Sequence, residues 1–156
     1  MGAADGHHLA QVNVALPLAP LESEQLAEFV AALDPVNARA DAAPGFVWRL
    51  QDEGGDATGF RVLDDDRLIV NLTVWQSIEA LRAFAYTDVG HVAVLRRRRE
   101  WFDTMDTYLA LWWIEAGSIP TLEDAEERLR LLEAHGPTPR AFTFRAPFAP
   151  PVGEPR

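Results

Sequence analysis

His91 and Arg98 are the side chains whose type and spacing most invite chemistry in this sequence. Read as one helix of about 3.6 residues per turn, HVAVLRRRREWFDTM puts His91, Leu95, Arg98, Phe102 and Met105 on one face. An imidazole there can act as a general base, hydrogen-bond a substrate carbonyl or ligate haem iron. A guanidinium in an apolar stripe is rarely buried alone. Arg98 is therefore expected to clamp an anionic or enolate-like ligand, or to pair with an acid such as Asp64, Glu100 or Glu115. Asn13 and Asn71 lie on strand-like segments, where either can orient a ligand carbonyl.

The aromatic residues suit a flat hydrophobic ligand. Among them Trp75, Phe84, Tyr86, Phe102 and Trp112 are the ones expected to border a pocket, with the remaining tryptophans in core or interface. Much else is excluded. The chain has no cysteine, and all 14 of its basic residues are arginine. Thiolate catalysis, Schiff-base chemistry and a P-loop lysine are thus absent. No pair of ligands is spaced for a non-haem metal, and the Asp64-Asp65-Asp66 run reads as a solvated turn. Serine hydrolysis lacks its elbow motif, and no glycine-rich nucleotide fingerprint occurs. A formal charge of −10 opposes nucleic acid and anionic membranes as partners.

The elements that must hold these residues follow from periodicity. His8–Ala15 alternates as a first strand, and Leu21–Leu33 carries Leu26, Phe29, Val30 and Leu33 at helical spacing. Asp34-Pro35 reads as the start of a second short helical piece through Ala40. Phe46–Leu50 is a short strand, followed by a long glycine- and aspartate-rich connection. Leu68–Trp75 is the strongest strand: Leu68, Val70, Leu72 and Val74 face one way, Ile69, Asn71, Thr73 and Trp75 the other. Ser77 caps a helix bearing Ile78, Leu81 and Phe84. Tyr108–Glu115 is a nearly continuous apolar run, which suggests a central strand buried on both faces. Thr121–His135 is a capped helix ended by Gly136-Pro137, and Ala141–Arg145 reads as a last strand before a loose proline-rich tail.

Strand, helix, strand, strand, helix, strand is the split βαβ plan of an α+β ferredoxin-like domain, here with an added C-terminal helix and strand. The domain is expected over residues 8–148, with loose tails at 1–7 and 149–156. An antiparallel sheet with helices on one face leaves the other bare, so pairing of two sheets in a homodimer is expected. No run is long and apolar enough to span a bilayer and MGAADGHH is no signal peptide, which favours the cytoplasm.

HLAQVNVA, EFVAALDPVNARAD, PGFVWRLQ, VNLTVWQSIEALRAF, HVAVLRRRREWF, LWWIEAG and GPTPRAFTF together resemble a bacterial family of stand-alone domains of unknown function, over nearly the whole chain. The resemblance implies membership of the dimeric α/β-barrel superfamily. More distantly, Thr73-Val74-Trp75-Gln76-Ser77 is similar to the strand-to-helix junction of antibiotic-biosynthesis monooxygenases and their haem-degrading relatives. In the haem-degrading branch an asparagine, a tryptophan and a histidine work together. Asn13 and His91 match the first and last of these, while Phe84 stands at the tryptophan position and lacks its N–H donor.

The resemblance therefore implies a cofactor-independent monooxygenase-like enzyme acting on a hydrophobic, aromatic or polyketide-like substrate. His91 would be its base, Asn13 the carbonyl orienter and Arg98 the stabiliser of enolate charge. An isomerase or cyclase on the same fold, and a non-catalytic carrier of haem or a hydrophobic metabolite, are the alternatives. No cofactor is required by the first reading; haem is the ligand of the last.

Overall fold

The computed structural model describes residues 6–51, 67–105 and 107–151. The glycine- and aspartate-rich connection and its aspartate run (Asp64 to Asp66) lie outside the described residues. The strands β1 (His7–Pro17), β2 (Phe46–Arg49), β3 (Ile69–Trp75) and β5 (Leu109–Glu115) alternate with the helices α1 (Ala27–Asp41) and α2 (Ile78–Thr87). All pairings are antiparallel, and the long strands run in the order β2-β3-β1-β5. This is the ferredoxin-like arrangement expected from the element order. The short strand β4 (Phe102–Asp103) adds to Leu16 and Pro17 at the end of β1.

Strand alternation sorts the sheet into two faces. Ala10, Val12 and Val14 on β1 join Val70, Leu72, Ala110 and Trp112 on one of them. The helix α5 (Leu122–His135) covers it with Ala125, Leu129 and Leu132. Thr121 starts α5 with a full capping box: its side chain accepts from the Asp124 N–H, while the Asp124 carboxylate accepts from the Thr121 N–H. The face expected to need a second copy is thus buried within one chain, so its apolar character carries no argument for a sheet-to-sheet dimer. The opposite face, with Leu9, Gln11, Asn13, Asn71, Thr73 and Trp75, lies under α1, α2 and the helices α3 (Val89–Arg96) and α4 (Arg98–Trp101).

Four expectations change. Asp34-Pro35 begins no new helix: it lies inside α1, where Pro35 is exposed. The segment Tyr108–Glu115 forms a flanking strand rather than a central one. Its middle residues Ala110, Leu111 and Trp112 are buried because α5 covers one side and the C-terminal segment wraps the other. That segment is not a strand either, since among the described residues its backbone pairs with β5 only at the isolated Leu111–Phe142 bridge. The tail is fastened as far as Phe148, whose carbonyl accepts from the Trp113 indole N–H at 2.8 Å.

The fourth change concerns the helix carrying His91. It does not run to Met105. The backbone leaves helical geometry at Arg97, α4 adds one turn, and Phe102 is extended. Phe102 pairs with Pro17 and sets its ring edge-on to Phe29 at 4.8 Å. Burying that ring and joining the sheet outweigh the helix propensity of four consecutive arginines.

Candidate functional site

A ladder of amides and hydroxyls crosses the helix-covered face of the sheet. Register sets it: Asn13 lies opposite Asn71, Gln11 opposite Thr73 and Leu9 opposite Trp75. The Gln11 amide donates to Thr73 Oγ1 at 2.9 Å and to Asn71 Oδ1 at 3.1 Å. Asn13 Nδ2 donates to Gln11 Oε1 at 2.6 Å and to Asn71 Oδ1 at 3.3 Å. The Trp75 indole N–H donates to Thr73 Oγ1 at 2.9 Å. Gln11 and Thr73 are buried, whereas Asn13 and Asn71 are only half-buried. Asn71 Nδ2 and Asn13 Oδ1 have no partner among the described residues, so the pair offers a ligand one donor and one acceptor.

Aromatic rings connect this floor to the histidine. Trp75 stacks on Phe84, with centroids 5.6 Å apart, and Phe84 tilts against the His91 ring at 5.2 Å. Ser77 caps α2 by accepting from the Ala80 N–H, which places Phe84 two turns along, over the tryptophan. His91 sits in the first turn of α3, half-buried. Its Nδ1 lies 2.8 Å from the carbonyl oxygen of Ala85, in the last turn of α2. A carbonyl only accepts, so the ring proton resides on Nδ1 and Nε2 keeps its lone pair. Burial lowers the His91 pKa, against opposing contributions from the Ala85 carbonyl and the Asp88 charge. The ring is therefore neutral near pH 7, with a basic nitrogen that no described residue engages.

The residues expected from sequence divide clearly. His91, Asn13, Asn71, Trp75 and Phe84 belong to this linked group. Arg98 does not. The break at Arg97 turns it outward, where it is exposed and Nη1 donates to the Leu95 carbonyl at 2.8 Å. Tyr86 is 55% exposed and stacks edge-on with Phe144. Phe102 serves the cluster of Leu26, Phe29 and Trp101. Trp112 points to the opposite face of the sheet, beneath Arg128 of α5. A cleft of about 340 Å³ lies on the outer side of α5 and another of about 320 Å³ between Ile78, Trp113 and Phe148; neither borders His91.

The family model described as "Domain of unknown function (DUF3291)" matches residues 8–156. The chain belongs to the DUF3291 family. No curated protein matches it. Among solved structures, the DUF3291 chain is similar to SnoaB, a cofactor-independent oxygenase from Streptomyces nogalater, at 20% identity and a TM-score of 0.46, covering 72% of this chain and 95% of that one. A conserved protein from Methanosarcina mazei Go1 matches at 11% identity and a TM-score of 0.49, covering 70% and 93%. Rv0793 from Mycobacterium tuberculosis matches at 12% and 0.46, covering 73% and 99%.

Gln11, Thr73 and the Ala85 carbonyl are the parts of the DUF3291 site that sequence reasoning missed. The first two carried a signal, since Gln11 shares strand parity with Asn13, and Thr73 with Asn71. The carbonyl carried none, because any residue at position 85 supplies one. Among the described residues no group of three or more histidine, aspartate or glutamate side chains could hold a metal ion. None of the described helices is long and apolar enough to cross a membrane.

Proposed function

We propose that this protein is a small-molecule enzyme whose His91 removes a proton from a hydrophobic, aromatic or polyketide-like carbonyl compound, opening it to cofactor-independent oxygenation. The observation that carries this reading is the neutral imidazole, its Nδ1–H held by Ala85 and its Nε2 lone pair unengaged. Nε2 takes the proton from carbon beside the carbonyl, and the electron pair moves onto oxygen. Asn71 Nδ2 donates to that developing enolate, in the place sequence reasoning gave to Arg98. Asn13 Oδ1 accepts from a neighbouring substrate hydroxyl and fixes the ring plane. Phe84 and Trp75 offer apolar surface to a flat substrate.

In an oxygenation, the enolate carbon reduces molecular oxygen: a CH2 group becomes a carbonyl and the second oxygen atom leaves as water. An isomerase or cyclase would use the same enolate without consuming oxygen. Oxygen uptake and solvent-deuterium incorporation, measured over a panel of anthrone-like and other aromatic ketones, separate these outcomes. His91→Ala is expected to abolish both while leaving the circular dichroism spectrum intact. Undiminished turnover in that variant would remove His91 from the chemistry.

Haem binding is the second reading, favoured by the same nitrogen. A histidine whose other ring N–H is held by a backbone carbonyl is oriented as axial ligands commonly are. His91 would hold the iron, and the group would supply redox chemistry that the side chains lack. Phe84 provides stacking surface but no N–H donor. Haemin titration should then give a Soret shift that His91→Ala eliminates.

A further inference from the structure

Asp88 is the single residue between α2 and α3, ending one helix and capping the other. Its backbone is extended there, with φ −68° and ψ 124°, so the chain turns sharply at this one joint. The carboxylate engages both sides of the turn: Oδ2 accepts from the His91 backbone N–H at 3.0 Å, and Oδ1 accepts from Arg39 Nε at 2.9 Å. Arg39 belongs to the last turns of α1, so the ion pair ties a third helix to the joint. Around it α3 approaches α1 closely: a Cβ added to Gly90 would lie 3.5 Å from both Arg39 Cδ and Val36 Cγ2. The Asp88 side chain is only 15% exposed, and its partner Arg39 is 51% exposed.

We infer that Asp88, anchored by Arg39, is a positioning residue that holds the His91 backbone so that Nδ1 meets the Ala85 carbonyl and Nε2 faces substrate. The inference rests on the proposed role of His91 as base. Two residues lie between the ring's carbonyl partner, Ala85, and the joint, and two more between the joint and His91. A shift of the α3 start therefore moves the imidazole relative to α2 directly. Without the carboxylate, the His91 N–H loses its cap, the turn loses its tie to α1, and the ring is free to choose its tautomer. A misplaced base costs rate rather than binding.

The test needs no substrate in its first arm. Side-chain 15N spectra of the full chain report which His91 nitrogen carries the proton. The wild type is expected to show the Nδ1–H tautomer alone. Asp88→Ala and Arg39→Ala are expected to show a mixture, with Asp88→Asn between them and wild type because asparagine still caps. In the second arm kcat for the oxygen-consuming reaction falls about tenfold in Asp88→Ala while KM holds. Should Asp88→Ala unfold, Arg39→Ala and Asp88→Asn carry the same comparison. An unchanged tautomer in all folded variants overturns the inference, even if His91→Ala is inactive. Full turnover in His91→Ala would instead sink the role of His91 as base, leaving the tautomer result to stand on its own.

Discussion

Trp75 and Gln11 share a single acceptor: the indole N–H and the glutamine amide both donate to Thr73 Oγ1 at 2.9 Å. That shared oxygen joins the aromatic half of the candidate site to its amide half. The rings of Trp75, Phe84 and His91 follow on one side, and Asn13 and Asn71 on the other. A change at either end is felt through a buried hydroxyl rather than through solvent.

The His91 pKa gives a pH dependence with a definite sign. Burial, the leading cause, lowers it below the ordinary value of 6.5, so in the window beneath that value the unfolded chain binds a proton that the folded chain does not. Stability therefore rises with pH through this window. The contribution is complete above 6.5 and is lost as pH falls toward the lowered value. Urea unfolding of wild type and His91→Gln across pH 5–7 should show the steeper acid loss in wild type. The acid limb of kcat should also lie below the ordinary histidine range. A limb above it would mean that another group titrates.

Arg98 is expected to be dispensable. Its guanidinium is exposed and bonds the Leu95 carbonyl near the end of α3. Arg98→Ala should keep wild-type turnover and melting temperature. A large loss of kcat in a folded variant would restore the inward placement that the stripe from His91 to Met105 suggested.

One chain covers its own sheet. Val12, Val70 and Leu72 are at most 1% exposed beneath α5. Folding should then be independent of protein concentration, because nothing in this core awaits a partner. Thermal midpoints at about 1 μM and about 100 μM are expected to coincide. A rising midpoint would show that association contributes to the folded state. Leu129→Ala, which empties the space between α5 and the sheet, should cost about 2–5 kcal/mol in the same assay.

The sheet was legible because alternation is a local property: LIVNLTVW sorts Leu68, Val70, Leu72 and Val74 from Asn71, Thr73 and Trp75 without knowledge of any neighbour. The Ser77 and Thr121 caps were legible for the same reason. The break at Arg97 was not. Four arginines favour helix, and only the distant Phe29 ring and the end of β1 explain why Phe102 leaves it. The inward placement of His91 survived that break because it depends on the first turn of α3, before the helix ends. Arg98, seven residues farther on and past the break, lost its place with the stripe. The C-terminal segment misled for a related reason, since its residues are anchored one at a time by Leu111, Trp113 and Arg82.

Gln11 separates bracing from contact in the amide ladder. It is 3% exposed, too deep to meet a ligand, yet it bonds Asn13, Asn71 and Thr73 together. Gln11→Leu removes those bonds and leaves the Asn13 amide without its nearest acceptor. Such a change should cost about 1–3 kcal/mol of stability. It should also lower kcat, because Asn71 Nδ2 loses the brace that aims it at substrate oxygen. Asn71→Ala acts differently: it removes the donor itself and should lower kcat more than Gln11→Leu does while costing less stability. Urea unfolding and steady-state kinetics on the two variants would check this ordering. If Gln11→Leu reduced turnover as much as Asn71→Ala, the ladder would act only as a unit, and Asn71 would have no separate claim as the donor.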